Sequence, residues 1–218
     1  MKSLMLIVNP MAGRGAYKTN FGEAMQTLCR GGYAVTLFFT ARRGDSTRFA
    51  AEYAADYDVV ACIGGDGTLS EVLAGLMQLD NPPPVGYFPM GTANDVATTL
   101  GLPKNDTVAA ARRIVNGIPH PFDVGAFGEK DYFAYIAAFG AFTEVSYATP
   151  QDQKKMLGHL AYVLQGMQQL PKIEPIHAVV EYDEGRMEGS FLYGSVSNSP
   201  PLPGSSACRI PWSASATG

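Results

Sequence analysis

The chain has 218 residues, of which 46% are hydrophobic and 17% are charged, and its formal net charge is −4. This composition is typical of one large or two small globular domains, and it lacks the basic surplus that normally accompanies nucleic acid binding. The three cysteines, Cys29, Cys62 and Cys208, are odd in number and widely spaced. They argue against a disulfide framework or a zinc site and predict reduced thiols in a cytoplasmic protein.

The predicted elements of the first half alternate between strand and helix. Short apolar runs predict strands at residues 4–8, 34–40, 57–63 and 85–89. Helical spacing of apolar residues predicts helices at 17–29, at about 45–55 with Asp45 or Ser46 as N-cap, from 69 onward, at about 96–100 and at 107–116. This alternation predicts βαβ units and a parallel sheet, in which ligands bind at the carboxyl ends of the strands.

From about Asp123 the pattern changes to strands separated by polar turns, which is typical of an antiparallel assembly. Strands are predicted at 124–127, 132–138, 176–182 and 186–196, with a hairpin turn at 183–185 and one helix at 151–170. We therefore predict an α/β domain over 1–122, a β domain over 123–198 and an irregular tail over 199–218. The amino terminus has the pattern of a strand and not of a signal peptide, and the apolar stretch at 132–142 is too short to span a bilayer.

A glycine-rich turn, Gly64-Gly65-Asp66-Gly67-Thr68, joins the third predicted strand to the helix that follows. Glycines allow a ligand to approach the backbone, and the first turn of a helix offers unpaired N–H groups to phosphate. Asp66 could bind a divalent metal there, directly or through water. The alternative interpretation is a tight turn with only a structural role.

Three segments in this order resemble the signature of the diacylglycerol kinase catalytic domain. They are Asn9-Pro10-Met11-Ala12-Gly13-Arg14, the turn at Gly64-Gly65-Asp66-Gly67-Thr68 with Glu71, and Pro89-Met90-Gly91-Thr92-Ala93-Asn94-Asp95. The resemblance continues through Asp123-Val124-Gly125 and the Lys155-x-x-Gly158-x-x-Ala161-Tyr162 pattern to Asn198. Within that superfamily the chain is most similar to the soluble bacterial diacylglycerol and related lipid kinases.

The resemblance implies a Rossmann-like α/β domain of the NAD kinase and diacylglycerol kinase group, followed by an antiparallel β-sandwich that is incomplete here. It implies an ATP- and Mg²⁺-dependent kinase that phosphorylates the hydroxyl of diacylglycerol or a related lipid to give phosphatidic acid. The enzyme would be cytoplasmic and would contact the membrane surface peripherally, where it meets its lipid substrate. It would have no transmembrane segment and no nucleic acid partner.

The resemblance also implies roles for individual residues. Asp66 and Asp95 would bind the metal and act in catalysis. Nucleotide contacts would come from Asn9, Thr40, Gly64, Gly65, Asp66, Gly67, Thr68, Leu69, Ser70, Gly91, Thr92 and Asn94. Weaker candidates for lipid headgroup contact are Arg14, Lys18 and Asp123, for which a solvated charge or a structural role at the domain junction is the alternative. Asn94 would orient Asp95 or a phosphate, or else cap the following helix, and Glu71 is expected to be structural.

The sequence departs from the family after Asn198. The family's Asp-Asp-Gly-like segment and later carboxylate, which acts as general base, are not visible, and no Asp or Glu occurs from 199 to 218. We therefore hypothesise a truncated, frameshifted or fragmentary kinase that retains nucleotide contacts, with exposed strand edges that favour association, for example as a homodimer. Alternatives are an NAD kinase-like or sugar-phosphate kinase, and a catalytically silent nucleotide- or lipid-binding module.

Overall fold

A computed structural model of the chain describes residues 1–128, 131–140, 174–182 and 185–198, except for the side chains of Arg14 and Phe127. The chain divides into two compact units, residues 1–135 and residues 136–218. Each unit is described by itself.

The first unit is built on a four-stranded parallel sheet. Its strands are β1 (Lys2–Val8), β2 (Tyr33–Phe39), β3 (Val59–Gly64) and β4 (Val85–Pro89), in the spatial order β2-β1-β3-β4. The five residues from Leu4 to Val8 are fully buried. A continuous apolar run is typical of an inner parallel strand, because such a strand is covered on both faces.

Helices connect the strands and cover the sheet. They are α1 (Phe21–Arg30), α2 (Asp45–Tyr53), α3 (Asp66–Leu76), α4 (Asp95–Thr99) and α5 (Thr107–Asn116), with 3-10 helices at Ala12–Lys18 and Ala54–Asp56. Leu4 and Leu6 of β1 pack in one core cluster with α1 and α5, whereas Met5 and Ile7 pack in the other with α2, α3 and α4. Successive strand residues point to opposite faces, so this division places the sheet between two helical layers.

One predicted helix start and one predicted N-cap are wrong. Helix α1 begins at Phe21 rather than at residue 17, because a 3-10 helix occupies Ala12–Lys18 and Asn20 adopts a left-handed conformation with φ of 56°. The N-cap of α2 is Gly44, with φ of 86°, rather than Asp45 or Ser46. The Asp45 carboxylate instead accepts hydrogen bonds from the backbone N–H groups of Ala41 and Arg42, at 2.8 and 3.0 Å.

Antiparallel strands follow the parallel sheet, as predicted. In the first unit β5 (Gly125–Phe127) pairs with β6 (Asp131–Phe133), and the neighbouring Val124, Ala134 and Tyr135 belong to the core cluster that covers α3. In the second unit β7 (Ile136–Gly140) pairs with β10 (Tyr193–Ser197), and β8 (Ile176–Tyr182) pairs with β9 (Gly185–Phe191). The predicted fold class, α/β followed by antiparallel strands, is therefore confirmed.

Two of the predicted strands are each divided in the structure. Residues 132–138 contribute to both β6 and β7, and residues 186–196 contribute to both β9 and β10, which pair with different partners. The predicted antiparallel pairing of these strands is confirmed, since Tyr182 lies opposite Gly185, but Gly185 belongs to β9 and the remaining predicted turn residues, 183–184, lie outside the described part of the chain. The predicted helix at 151–170 and the tail at 199–218 lie outside the described residues, and the domain boundary near Asp123 stays a prediction.

Within the described ranges, no helix has both the length and the apolar character needed to cross a bilayer.

Candidate functional site

The carboxyl ends of the four parallel strands lie side by side at one end of the sheet. The register pairs Val8 with both Phe39 and Ile63, and it pairs Gly64 with Pro89. Backbone hydrogen bonds continue one residue beyond three strand ends: Thr40 donates to the Val8 carbonyl at 2.9 Å, Asn9 to Ile63 at 3.0 Å and Met90 to Gly64 at 2.7 Å. The predicted nucleotide residues Asn9, Thr40 and Gly65 therefore lie directly after adjacent strand ends, and Gly91 is the second residue after β4.

The glycine turns after β3 and β4 are packed against each other. A Cβ atom on Gly65 would lie 3.1 Å from the Gly91 Cα, and a Cβ on Gly91 would contact the Gly65 Cα and lie 2.7 Å from Asn94 Oδ1. Gly13 joins this contact, because it has φ of +52° and a Cβ there would contact the Met90 carbonyl oxygen. Side chains at these positions would force the turns apart, so the close approach requires glycine.

Asp66 links these turns to Asp95. It is the first residue of α3, and its carboxylate accepts the backbone N–H of Asp95 at 3.0 Å through Oδ2 and that of Val96 at 3.2 Å through Oδ1. The carboxylate thereby satisfies two N–H groups in the first turn of α4, which have no partner within that helix. This arrangement brings two acidic residues that are far apart in the sequence to the same point.

The electrostatics of the pair are unfavourable for two negative charges. Partial burial raises the pKa of Asp95, the neighbouring Asp66 carboxylate raises it further, and Lys104 lowers it. The Lys104 ammonium donates a hydrogen bond to Thr98 Oγ1 at 2.9 Å, which holds it beside α4. A bound divalent cation would relieve the repulsion between the two carboxylates.

The two carboxylates of Asp66 and Asp95 fit magnesium better than a metal whose ligands must all come from the protein. No group of three or more His, Cys, Asp or Glu side chains that could hold a metal occurs among the described residues. Magnesium is commonly bound by one or two carboxylates, with water and substrate phosphates as the other ligands. The Tyr87 hydroxyl is buried and has no hydrogen-bond partner among the described residues, and the Asp66 and Asp95 carboxylates add to the effect of burial in raising the pKa of Tyr87.

Asn9 and Asn94 stabilise the turns with their side chains. The Asn9 amide donates to Thr68 Oγ1 at 3.0 Å, and its oxygen accepts the Met11 N–H at 3.0 Å. Asn94, which is 1% exposed, accepts the Gly91 N–H at 2.8 Å and donates to the carbonyls of Gly91 and Pro89 at 3.0 and 3.3 Å. Asn94 occupies the N-cap position of α4, as the capping alternative predicted, but its side chain makes no capping hydrogen bond to that helix.

The other predicted nucleotide residues differ in accessibility. Gly67 and Thr92 are exposed in the turns that follow β3 and β4. Gly64 is buried, and the half-buried residues are Thr40, Gly65, Ser70 and Gly91. Leu69 is 5% exposed and packs in the core, so only its backbone is placed to contact a ligand. Glu71 is structural, as expected, because its carboxylate accepts the Gly44 N–H at 3.2 Å at the start of α2.

The predicted headgroup residues are less informative. Lys18 is exposed at the end of its 3-10 helix, and Asp123 is exposed just before β5. The backbone of Arg14 belongs to the same 3-10 helix as Lys18, but its side chain lies outside the described part of the structure. The role of these three residues stays a prediction.

Sequence reasoning missed Tyr87 and Lys104. Tyr87 carries the one hydroxyl within the apolar run of β4, a signal that is easily interpreted as ordinary strand composition. Lys104 follows α4 in a loop and has the sequence context of a solvated charge. Only the packing of β4 and α4 against α3 relates either residue to the acidic pair.

Comparison with known proteins agrees with this arrangement. The family model of the diacylglycerol kinase catalytic domain matches residues 3–127. The chain is 39% identical over 193 residues to a diacylglycerol kinase of Bacillus subtilis, with 88% of this chain and 63% of the relative covered. It is 36% identical over 193 residues to a diacylglycerol kinase of Staphylococcus epidermidis, with 88% of this chain and 60% of the relative covered.

Solved structures give the same result. A diacylglycerol kinase structure from Bacillus anthracis has a TM-score of 0.71 at 29% identity, with 91% of this chain and 64% of that chain covered. The chain thus spans less than two thirds of the length of these relatives. The match of the family model over more than half of the sequence includes all three glycine turns and the Asp66–Asp95 pair. On this evidence the chain belongs to the diacylglycerol kinase catalytic domain family.

Proposed function

We propose that this chain acts as a lipid kinase that uses ATP and Mg²⁺ to phosphorylate the hydroxyl of diacylglycerol or a related lipid, giving phosphatidic acid. The observation that carries the proposal is the contact of the Asp66 carboxylate with the start of α4, which places Asp95 beside it. Family membership favours a lipid hydroxyl over NAD or a sugar phosphate as acceptor.

The acidic pair would hold the metal. When bound, Mg²⁺ would neutralise phosphate charge, which is the main requirement for phosphoryl transfer. Asp66 is preorganised for this, because its two backbone hydrogen bonds fix the carboxylate orientation before any ligand arrives. Asp95 is exposed, so a metal would have access to this residue.

The backbone of the glycine turns would contact the nucleotide. Gly67 is exposed in the first turn of α3, where N–H groups lack partners within the helix and favour negative charge. Thr92 is exposed in the turn that follows β4. The Asn9 side chain donates a hydrogen bond to Thr68 and so connects the residue after β1 to the first turn of α3. We propose that Gly64 to Ser70, with Asn9, Thr40, Gly91, Thr92 and Asn94, form or support the nucleotide site.

The lipid and membrane parts of the proposal rest on the family. We propose that the protein works in the cytoplasm, that it meets its lipid at a membrane surface, and that Arg14, Lys18 and Asp123 contribute to the headgroup side. Association as a homodimer is part of the same proposal.

The test is transfer of radiolabelled phosphate from ATP to diacylglycerol in mixed micelles with Mg²⁺. The chain is compared with its Asp66→Asn and Asp95→Asn variants. Label that enters the organic phase with the unmodified chain and is lost in both variants supports the proposal. Label in a water-soluble product supports an NAD or sugar-phosphate acceptor instead, and nucleotide binding without any transfer overturns kinase activity for this chain.

A further inference from the structure

Tyr87 in β4 has a buried hydroxyl that no other group uses. The residue is 8% exposed, and its hydroxyl oxygen has no hydrogen-bond partner among the described residues. Buried tyrosine hydroxyls are normally paired, since an unmet hydrogen bond in the interior costs stability. A native exception therefore calls for a functional explanation.

The position of Tyr87 relates this hydroxyl to the acidic pair. Tyr87 lies opposite Cys62 in the β3–β4 register and belongs to the same core cluster as Leu69 and Val96. Leu69 is in the first turns of α3, which begins at Asp66, and Val96 directly follows Asp95 in α4. Tyr87 thus shares a core cluster with residues from both helices that begin at the two carboxylates.

The electrostatic environment of the hydroxyl supports this placement. Burial raises the pKa of Tyr87 far above its usual range, and Cys62, Asp66 and Asp95 raise it further. The two carboxylates therefore disfavour a negative charge on this hydroxyl. The hydroxyl consequently keeps its proton and is available as a hydrogen-bond donor.

Among the residues that the structure describes, none accepts a hydrogen bond from this hydroxyl. The Cys62 thiol is fully buried, and burial raises its pKa to about 12, so it remains a neutral and weak acceptor. Both Asp66 oxygens already accept backbone N–H groups of α4. A divalent cation bound by Asp66 and Asp95 would bring further oxygen ligands, and these oxygens would be able to accept the hydrogen bond from Tyr87.

We propose that Tyr87 is a positioning residue for the metal site, whose hydroxyl donates a hydrogen bond to one of the oxygen ligands of a divalent cation held by Asp66 and Asp95. This inference rests on the proposed function, because it requires the pair to bind a cation. Groups of this kind orient the ligands of a metal without touching it and change its affinity. The hydroxyl has no partner among the described residues and would gain one in the loaded protein.

The inference predicts opposite effects of one substitution on the two states. Tyr87→Phe removes only the hydroxyl. Without ligand, the substitution removes a buried hydroxyl that makes no hydrogen bond with the described residues, which stabilises the fold, so the Tm should rise by roughly 3 °C. With Mg²⁺ and a non-hydrolysable ATP analogue the variant lacks a hydrogen bond, so its affinity should fall about three- to tenfold.

The matched control is Tyr33→Phe. Tyr33 is also 8% exposed, but it packs in the core cluster on the opposite face of the sheet. We expect Tyr33→Phe neither to raise the Tm of the free protein nor to change the affinity for the Mg²⁺–nucleotide complex.

The experiment combines thermal unfolding of the full chain with titration of the nucleotide analogue, in Mg²⁺ and in EDTA. A loss of affinity in Mg²⁺ that is absent in EDTA, together with the higher Tm, supports the positioning role. An affinity in Mg²⁺ that matches the unmodified chain, or an equal loss in EDTA, overturns the inference and leaves the proposed function intact. Failure of the unmodified chain to bind the Mg²⁺–nucleotide complex overturns both.

Discussion

At the scale of single residues, Asp66 combines a structural task with a proposed chemical one. Its carboxylate accepts two backbone N–H groups of α4 and lies beside Asp95. Asp66→Asn leaves one oxygen to accept, so we expect the free energy of unfolding to fall by about 1–2 kcal/mol. The same variant should lose Mg²⁺-dependent nucleotide binding, because half of the negative charge of the pair is removed.

Urea unfolding and calorimetric titration separate these two effects. Asp80→Asn is the matched control, because Asp80 is exposed in the loop after α3 and its neutralisation changes the net charge equally. Full nucleotide binding by Asp66→Asn would contradict the metal-binding role, whatever the change in stability.

Asp45 gives a prediction for pH dependence. The backbone N–H groups of Ala41 and Arg42 hold the pKa of Asp45 below its ordinary value of 3.8 in the folded chain. The stability that this carboxylate contributes is therefore present above the ordinary value and is lost as the pH falls through the lowered pKa. Asp45→Asn should be less stable than the unmodified chain at neutral pH, and the difference should shrink in acid.

The measurement is the urea midpoint of both proteins at about pH 7 and about pH 3. A difference between the two midpoints that stays constant or grows toward low pH would show that the ionised carboxylate does not stabilise the loop before α2.

At the scale of structural elements, the contact between the turns after β3 and β4 holds the site together. Gly91→Ala would place a methyl group against the Gly65 Cα and 2.7 Å from Asn94 Oδ1. The turns would have to separate, at a cost of about 1–3 kcal/mol in the free energy of unfolding. We expect lower stability and weaker nucleotide binding together, measured by urea unfolding and titration; unchanged stability would show that the turns are not in contact.

Gly67 allows the ligand contact to be tested without disturbing the fold. A Cβ on Gly67 would meet nothing within 4 Å, and the residue lies in the first turn of α3. Gly67→Ala should therefore raise the free energy of unfolding by about 0.5–1 kcal/mol. If phosphate approaches this backbone, the methyl group should nevertheless weaken nucleotide binding about tenfold or more.

The control for this prediction is Gly22→Ala. Gly22 is the second residue of α1 and is equally open, since a Cβ there also meets nothing within 4 Å. It should gain similar stability with no change in nucleotide affinity. Nucleotide affinity in Gly67→Ala equal to that of the Gly22→Ala control would place the ligand elsewhere.

At the scale of the whole molecule, residues 1–135 contain both core clusters and every proposed nucleotide residue. The parallel sheet is covered on both faces inside this unit, so it buries a core of its own. We expect a fragment of residues 1–135 to unfold cooperatively in urea and to bind the Mg²⁺–nucleotide complex as the full chain does. Aggregation or a gradual transition would show that this unit depends on residues 136–218.

The sequence by itself determined the order of elements in the first unit and the family. Some elements can be identified from residues that are neighbours in the sequence. Examples are the strands predicted from the apolar runs at 4–8 and 85–89 and the helix predicted from the apolar spacing at 107–116. The glycine turns carry their own signal, because residues without a Cβ are needed where two backbones meet. Family membership followed from the order of these turns.

Tertiary structure decided the features that depend on residues distant in the sequence. Asp66 and Asp95 are separated by 29 positions in the sequence. Only the packing of α3 beside α4 brings the Asp66 carboxylate to the first residues of α4, where Asp95 lies. The left-handed Asn20, the division of residues 186–196 between β9 and β10 and the unpaired hydroxyl of Tyr87 are likewise products of packing. Local periodicity records which face of an element is buried, but not which polar atoms meet there, because partners in space are chosen by the fold and not by neighbours in the chain.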